Sequence, residues 1–130
     1  MTAIKTINPV GWFEIYVKDM KRAKLFYDAV FAVTLEKLEN PGPELSEMYA
    51  FSMDMDAKGA SGALVKMDGG PAGDGGTIVY FTCENCATES GRVEKNGGKI
   101  IKPKFSIGKH GHIALVSDTE GNVIGLHSMK

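Results

Sequence analysis

A chain of 130 residues can bury a core in one domain without disulfide or metal staples, and 43% apolar with 24% charged residues is the composition of a folding sequence. A formal net charge of −1 provides no global field for nucleic acid phosphates or an anionic membrane, so neither is an expected partner. No run nears the roughly 20 apolar residues that cross a bilayer. The segment from Met1 to Ile7 is too short and polar for a signal peptide, and two cysteines make no secreted framework, so the expected compartment is the cytoplasm.

In chain order, an alternating run from Trp12 to Val17 predicts the first strand. Asp19 is placed as the N-cap of a helix whose Met20, Ala23, Phe26, Tyr27, Val30 and Phe31 recur on one apolar face. Strands are expected over Thr34 to Leu38, Met48 to Met55 and Ser61 to Met67. The Gly-rich stretch from Asp68 to Gly76 reads as a linker, and a second series follows it. That series has a strand over Thr77 to Thr82, a weaker helix capped by Asn85 and stopped by Asn96-Gly97-Gly98, and strands over Lys99 to Lys102, His112 to Val116 and Asn122 to His127. Sliding the chain by half its length sets Gly11 on Gly76, Trp12 on Thr77, Tyr16 on Phe81 and Asp19 on Glu84. The expected fold is α+β, with two tandem βαβββ modules (about 8–67 and 76–128, linker about 68–75) whose curved mixed sheets enclose a shared cleft in one domain spanning 1–130.

Alternation decides which side chains enter that cleft. Phe13, Ile15 and Val17 form an apolar set suited to the first helix, which turns Trp12, Glu14 and Tyr16 the other way. On the last strand Ile124 and Leu126 oppose Val123, Gly125 and His127 by the same rule. Glu14 and His127 are therefore the candidate catalytic pair, base and acid or orienter, with Trp12, Tyr16, Val79 and Phe81 as candidate ligand-binding walls. The competing structural role is a hydrogen-bonded Glu14, or one paired with Lys66, and a satisfied surface histidine.

The run from Gly11 to Tyr27, with its strand, Asp19, Arg22-Ala23 and Phe26-Tyr27 in register, resembles the opening of the glyoxalase, bleomycin resistance and extradiol dioxygenase superfamily, also called vicinal oxygen chelate. The ending from Asp118 to His127 resembles that superfamily's closing turn and strand, and within it the chain resembles the predicted lactoylglutathione lyase-related proteins rather than glyoxalase itself. The resemblance implies a small-molecule ligand and a homodimer. In metal-dependent members four strands each supply one His, Glu or Gln. Here those positions fall on Trp12, on or beside Gly62, on Thr77 or Ile78, and on Gly125, none of which ligates well, so no cofactor is expected and a divalent metal is disfavoured. Glu14 and His127 keep the inward face one side-chain repeat away, with His110 and His112 in reserve, still too few for an ordinary zinc site.

Cys83-Glu84-Asn85-Cys86 has the spacing of a redox dithiol but sits where the first half has Lys18 and Lys21, and reads as a strand-to-helix junction. Pro103 to Gly111 is either a lid beside the cleft or a plain strand connection anchored by Phe105 and Ile107. Two functions stay open: a lyase or isomerase acting on a small carbonyl compound, and a small-molecule sequestering protein of the bleomycin-resistance type.

Overall fold

The computed structural model describes residues 8–39, 47–73 and 75–130; the opening segment 1–7 and Asp74 of the linker lie outside them. The first module contains β1 (Val10–Tyr16), α1 (Met20–Phe31), β2 (Glu36–Lys37), β3 (Glu47–Ala50) and β4 (Ser61–Lys66). The second contains β5 (Thr77–Thr82), α2 (Cys86–Ser90), β6 (Lys99–Ser106), β7 (His112–Ser117) and β8 (Val123–Ser128). The strands form one curved open sheet in the order β2-β3-β4-β1-β5-β8-β7-β6. Each half opens with a strand parallel to its own last strand (β1 with β4, β5 with β8), and the halves join where β1 runs antiparallel to β5. The two expected module sheets are thus fused edge to edge.

Both helices cover the same face. Asp19 caps α1, its Oδ1 accepting the Arg22 N–H at 3.0 Å. Met20, Ala23 and Tyr27 pack with Ile15, Leu35 and Leu64, as the helical period requires. The rest of the expected stripe is not covered: Phe26, Val30 and Phe31 remain more than half exposed, with Phe31 stacked on Tyr27 at the border of an apolar recess shared with Phe13, Ile15 and Phe51. The helix ends at Ala32 in the left-handed region (φ 53°), and the Asp28 carboxylate secures the turn by accepting from the Leu35 N–H and the Lys24 ammonium. The second helix is a single five-residue segment followed by a 3-10 turn, in keeping with its weaker pattern. It covers Ala114, Val116 and Leu126 through Cys86.

Strand β6 runs past Lys102 to Ser106, so the candidate lid is half strand; Phe105 pairs with Ile113 and Ser106 with His112. Pro103 is tolerated because β6 is an edge strand, and the ladder breaks register on either side of Lys102.

Candidate functional site

The helix-free face is organised around the middle of β1. Pairing places Trp12, Glu14 and Tyr16 beside Ser61, Ala63 and Val65 of β4, and Trp12 and Glu14 beside Tyr80 and Ile78 of β5. Met48, Ala50, Ala63 and Val65 form an apolar bed on which Trp12, Tyr16 and Leu38 lie. Glu14 rises from the centre of this face and is only 8% exposed. Its Oε2 accepts the Trp12 indole N–H at 3.2 Å, and its Oε1 accepts the hydroxyls of Tyr16 at 3.2 Å and Tyr80 at 3.1 Å.

Two opposing effects act on this carboxylate. Burial disfavours the charged form, while the donors Trp12, Tyr80 and Tyr16 favour it; burial wins, and the Glu14 pKa stands above the usual glutamate value. The same burial, with the adjacent carboxylate charge, pushes both tyrosine hydroxyls well above the ordinary phenol range, so both stay protonated donors. The cluster is a desolvated acid-base group held in one orientation by three neutral donors.

Tyr80 explains a missing side chain. A Cβ at position 125 would overlap the Tyr80 ring, which packs against Gly125 of the paired strand β8, so glycine is required there and the ring fills the space a ligand side chain would need. Gly62 is equally constrained by the Phe13 ring and carbonyl, but on the helix side, so the inward positions of β4 are Ser61 and Ala63. Trp12, Ala63, Ile78 and Gly125 stand around the centre and carry no metal-ligating side chain, and among the described residues no three His, Cys, Asp or Glu side chains converge.

His127 shares the face with Glu14 but not its neighbourhood. It pairs with Thr82, four residues along β5 from the Glu14 partner Ile78 and on the far side of that strand, which separates the two by roughly 16 Å at ordinary strand spacings. Its Nε2 lies 2.6 Å from the His110 carbonyl oxygen, which can only accept, so the ring donates there and ties down the β6–β7 connection. His112 stands on the helix side, paired with Ser128 at the end of β8.

Val79 and Phe81 must be corrected: Val79 pairs with Phe13, and Phe81 packs among Cys86, Ala114 and Leu126 under α2, both on the helix side. Ile78 and Tyr80 take the site face instead. The half-chain offset carries the error. The structure uses Asp19 and Asn85 as the two N-caps, 66 positions apart by number, whereas the offset that set Asp19 on Glu84 is one residue shorter. A one-residue slip flips every side chain of a strand. Aligning the two caps would have set Tyr80 on Glu14 and revealed the residue that the sequence reading missed.

The cysteine pair is unlike a reactive dithiol. Cys86 is fully buried with its N–H bound to the Ser128 hydroxyl, and burial together with Glu89 pushes the Cys83 thiol up to about 11.

The comparisons with known proteins agree with this architecture. The profile of the Glyoxalase/Bleomycin resistance protein/Dioxygenase superfamily matches residues 9–126. A glyoxylase-like domain-containing protein of Didymella fabae is 28% identical over 114 residues, 87% of this chain and 88% of its own. The protein CFP32 of Mycobacterium bovis is 23% identical over 117 residues, 89% of this chain but 44% of its own, so the chain spans less than half the length of that relative. Among solved structures, hypothetical protein BH1468 from Bacillus halodurans superposes with a TM-score of 0.69 at 12% identity, covering 93% of this chain and 94% of its own. The methylmalonyl-CoA epimerase of Mycobacterium tuberculosis superposes with a TM-score of 0.62 at 15% identity, covering 100% and 93%. With the profile running through nearly every element from β1 to β8, the chain belongs to the Glyoxalase/Bleomycin resistance protein/Dioxygenase superfamily.

Proposed function

We propose that this chain is a metal-independent isomerase or lyase that moves a proton next to the carbonyl of a small molecule bound on the helix-free face, with Glu14 as the exchanging group. The observation that carries the reading is a carboxylate 8% exposed, with its pKa raised by burial and its orientation fixed by three donors. In the step, Glu14 takes the proton, the C–H electron pair moves into the carbon–carbon bond of an enolate, and the carbonyl oxygen takes the negative charge. Neutralising Glu14 weakens its hold on the Tyr16 hydroxyl, which is on a half-buried side chain and can turn to donate to that oxygen. Returning the proton to another carbon of the delocalised anion completes an isomerisation, return to the same carbon gives exchange with solvent, and expelling a β-substituent completes an elimination. The epimerases of like fold act on an acyl-CoA by name, which supports a carbonyl substrate. His127 serves as the anchor of the β6–β7 connection rather than as the acid.

The test is to incubate the protein in D2O with a panel of small ketones, 2-oxo acids and thioesters, with and without chelator, and follow loss of the proton beside the carbonyl by NMR. Chelator-insensitive exchange by the wild type that is lost in Glu14→Gln supports the reading. Ligand binding without exchange transfers the site to the sequestering function of the bleomycin-resistance type. We also propose a cytoplasmic location and a homodimer, the dimer supported by the apolar surface that Leu25, Phe26, Val30 and Phe31 leave uncovered on α1.

A further inference from the structure

A cavity of about 650 Å³ lies on the opposite face of the sheet from Glu14, between the first turns of α1 and strands β3 and β4. Tyr49 and Lys66 line it from the sheet, and both belong to the helix side because Tyr49 pairs with Leu64 and Lys66 is two residues further along the same strand as Leu64. Its volume is that of a small-molecule pocket. The walls carry four lysines: Lys18 just before α1, Lys21 and Lys24 on its first turns, and Lys66 at the end of β4.

These cations do not play the same part. Lys24 is held by Asp28 and sits 5.9 Å from the centre of the Tyr49 ring, so it is a fixed wall. Among the described residues Lys18, Lys21 and Lys66 are in no ion pair. Two carboxylates share the lining. Asp19 is turned to the α1 backbone as its cap, and Glu47, opposite Lys66 in the β3–β4 ladder, lies beyond ion-pair distance of it. Three lysines outside any ion pair among the described residues therefore line one space with two carboxylates, Asp19 and Glu47, and the remaining positive surplus favours an anion with several acceptor oxygens. Buried Met20 and the half-buried Tyr49 ring add an apolar surface that inorganic phosphate alone would leave wet.

We propose that this cavity binds a small organic phosphate ester, with Lys18, Lys21 and Lys66 holding the phosphate and the Tyr49 ring contacting the organic body. The site is independent of Glu14. The probes are phenyl phosphate, inorganic phosphate and phenol, each titrated into 15N-labelled protein. Phenyl phosphate should move the amides of residues 18–24, Tyr49 and Lys66 and bind more tightly than inorganic phosphate, while phenol should leave them unmoved. Lys21→Gln and Lys66→Gln should each weaken binding about fivefold, as loss of one exposed ion pair does, and Glu47→Gln should strengthen it by a similar factor. No shifts at millimolar probe, shifts confined to the Glu14 face, equal binding of inorganic and phenyl phosphate, or affinities unchanged by the lysine substitutions would each overturn the proposal.

Discussion

Glu14→Gln isolates the charge of the site from its shape. In the folded protein the indole N–H of Trp12 can only donate, whereas the Tyr16 and Tyr80 hydroxyls can donate or accept. A glutamine therefore fits with its carbonyl oxygen towards Trp12 and its NH₂ donating to the two hydroxyls, which keeps a partner for each group, although the buried Tyr80 O–H gives up its acceptor. Removing the charge weakens three charge-assisted hydrogen bonds by about 1 kcal/mol each, and removes a desolvation penalty of several kcal/mol. Because burial outweighs the donors in wild type, the balance favours glutamine at neutral pH. The sign follows from linkage: a folded pKa above the unfolded value gives a contribution that is complete below the unfolded pKa and is lost as pH rises through the folded one. Urea unfolding should therefore find the two proteins within about 1 kcal/mol near pH 4.5. The variant should gain towards pH 8 by about 1.4 kcal/mol for each unit that the wild-type pKa is raised. Glu14→Ala, which strands three donors, should cost at least about 3 kcal/mol. A Glu14→Gln protein destabilised by more than about 2 kcal/mol at pH 8, or a difference falling with pH, would mean that burial does not outweigh the three donors.

Gly125→Ala should destabilise by about 1–3 kcal/mol in thermal or urea unfolding and disturb the Tyr80 ring, because the new methyl overlaps it. Ala32→Gly should stabilise by about 0.5–1 kcal/mol in the same assay, since Ala32 holds the left-handed conformation that glycine adopts without a Cβ clash. Light scattering coupled to size exclusion should give twice the monomer mass, and Phe31→Asp, which places a charge on the exposed face of α1, should shift the population towards the monomer mass.

Much of the architecture could be read from local patterns. Asp19 with its following apolar period marks α1, the glycine-rich break at Asp68 separates the halves, and alternation in β1 turns Glu14 inward. Three features were not legible. The fusion of the halves rests on the antiparallel ladder between β1 and β5, which are about 60 residues apart and share no turn to set their register. Tyr80 was lost to a one-residue error in matching the repeats, so a hydroxyl donor to Glu14 was replaced by two residues of the opposite face, Val79 and Phe81. The separation of His127 from Glu14 depends on how far β8 is displaced along β5, a long-range register that alternation within one strand cannot specify. The face of a residue is a local property, but its neighbours across strands are not.

The most direct test is a carboxyl ¹³C NMR titration of the protein labelled at the side-chain carboxyl carbon of glutamate, with Glu14→Gln identifying the resonance. Glu14 should titrate above the ordinary glutamate range of about 4.3, out of step with the exposed carboxylates. A Glu14 that titrates with them, or below them, would mean that the three donors outweigh burial, and the proton-exchanging role would be contradicted.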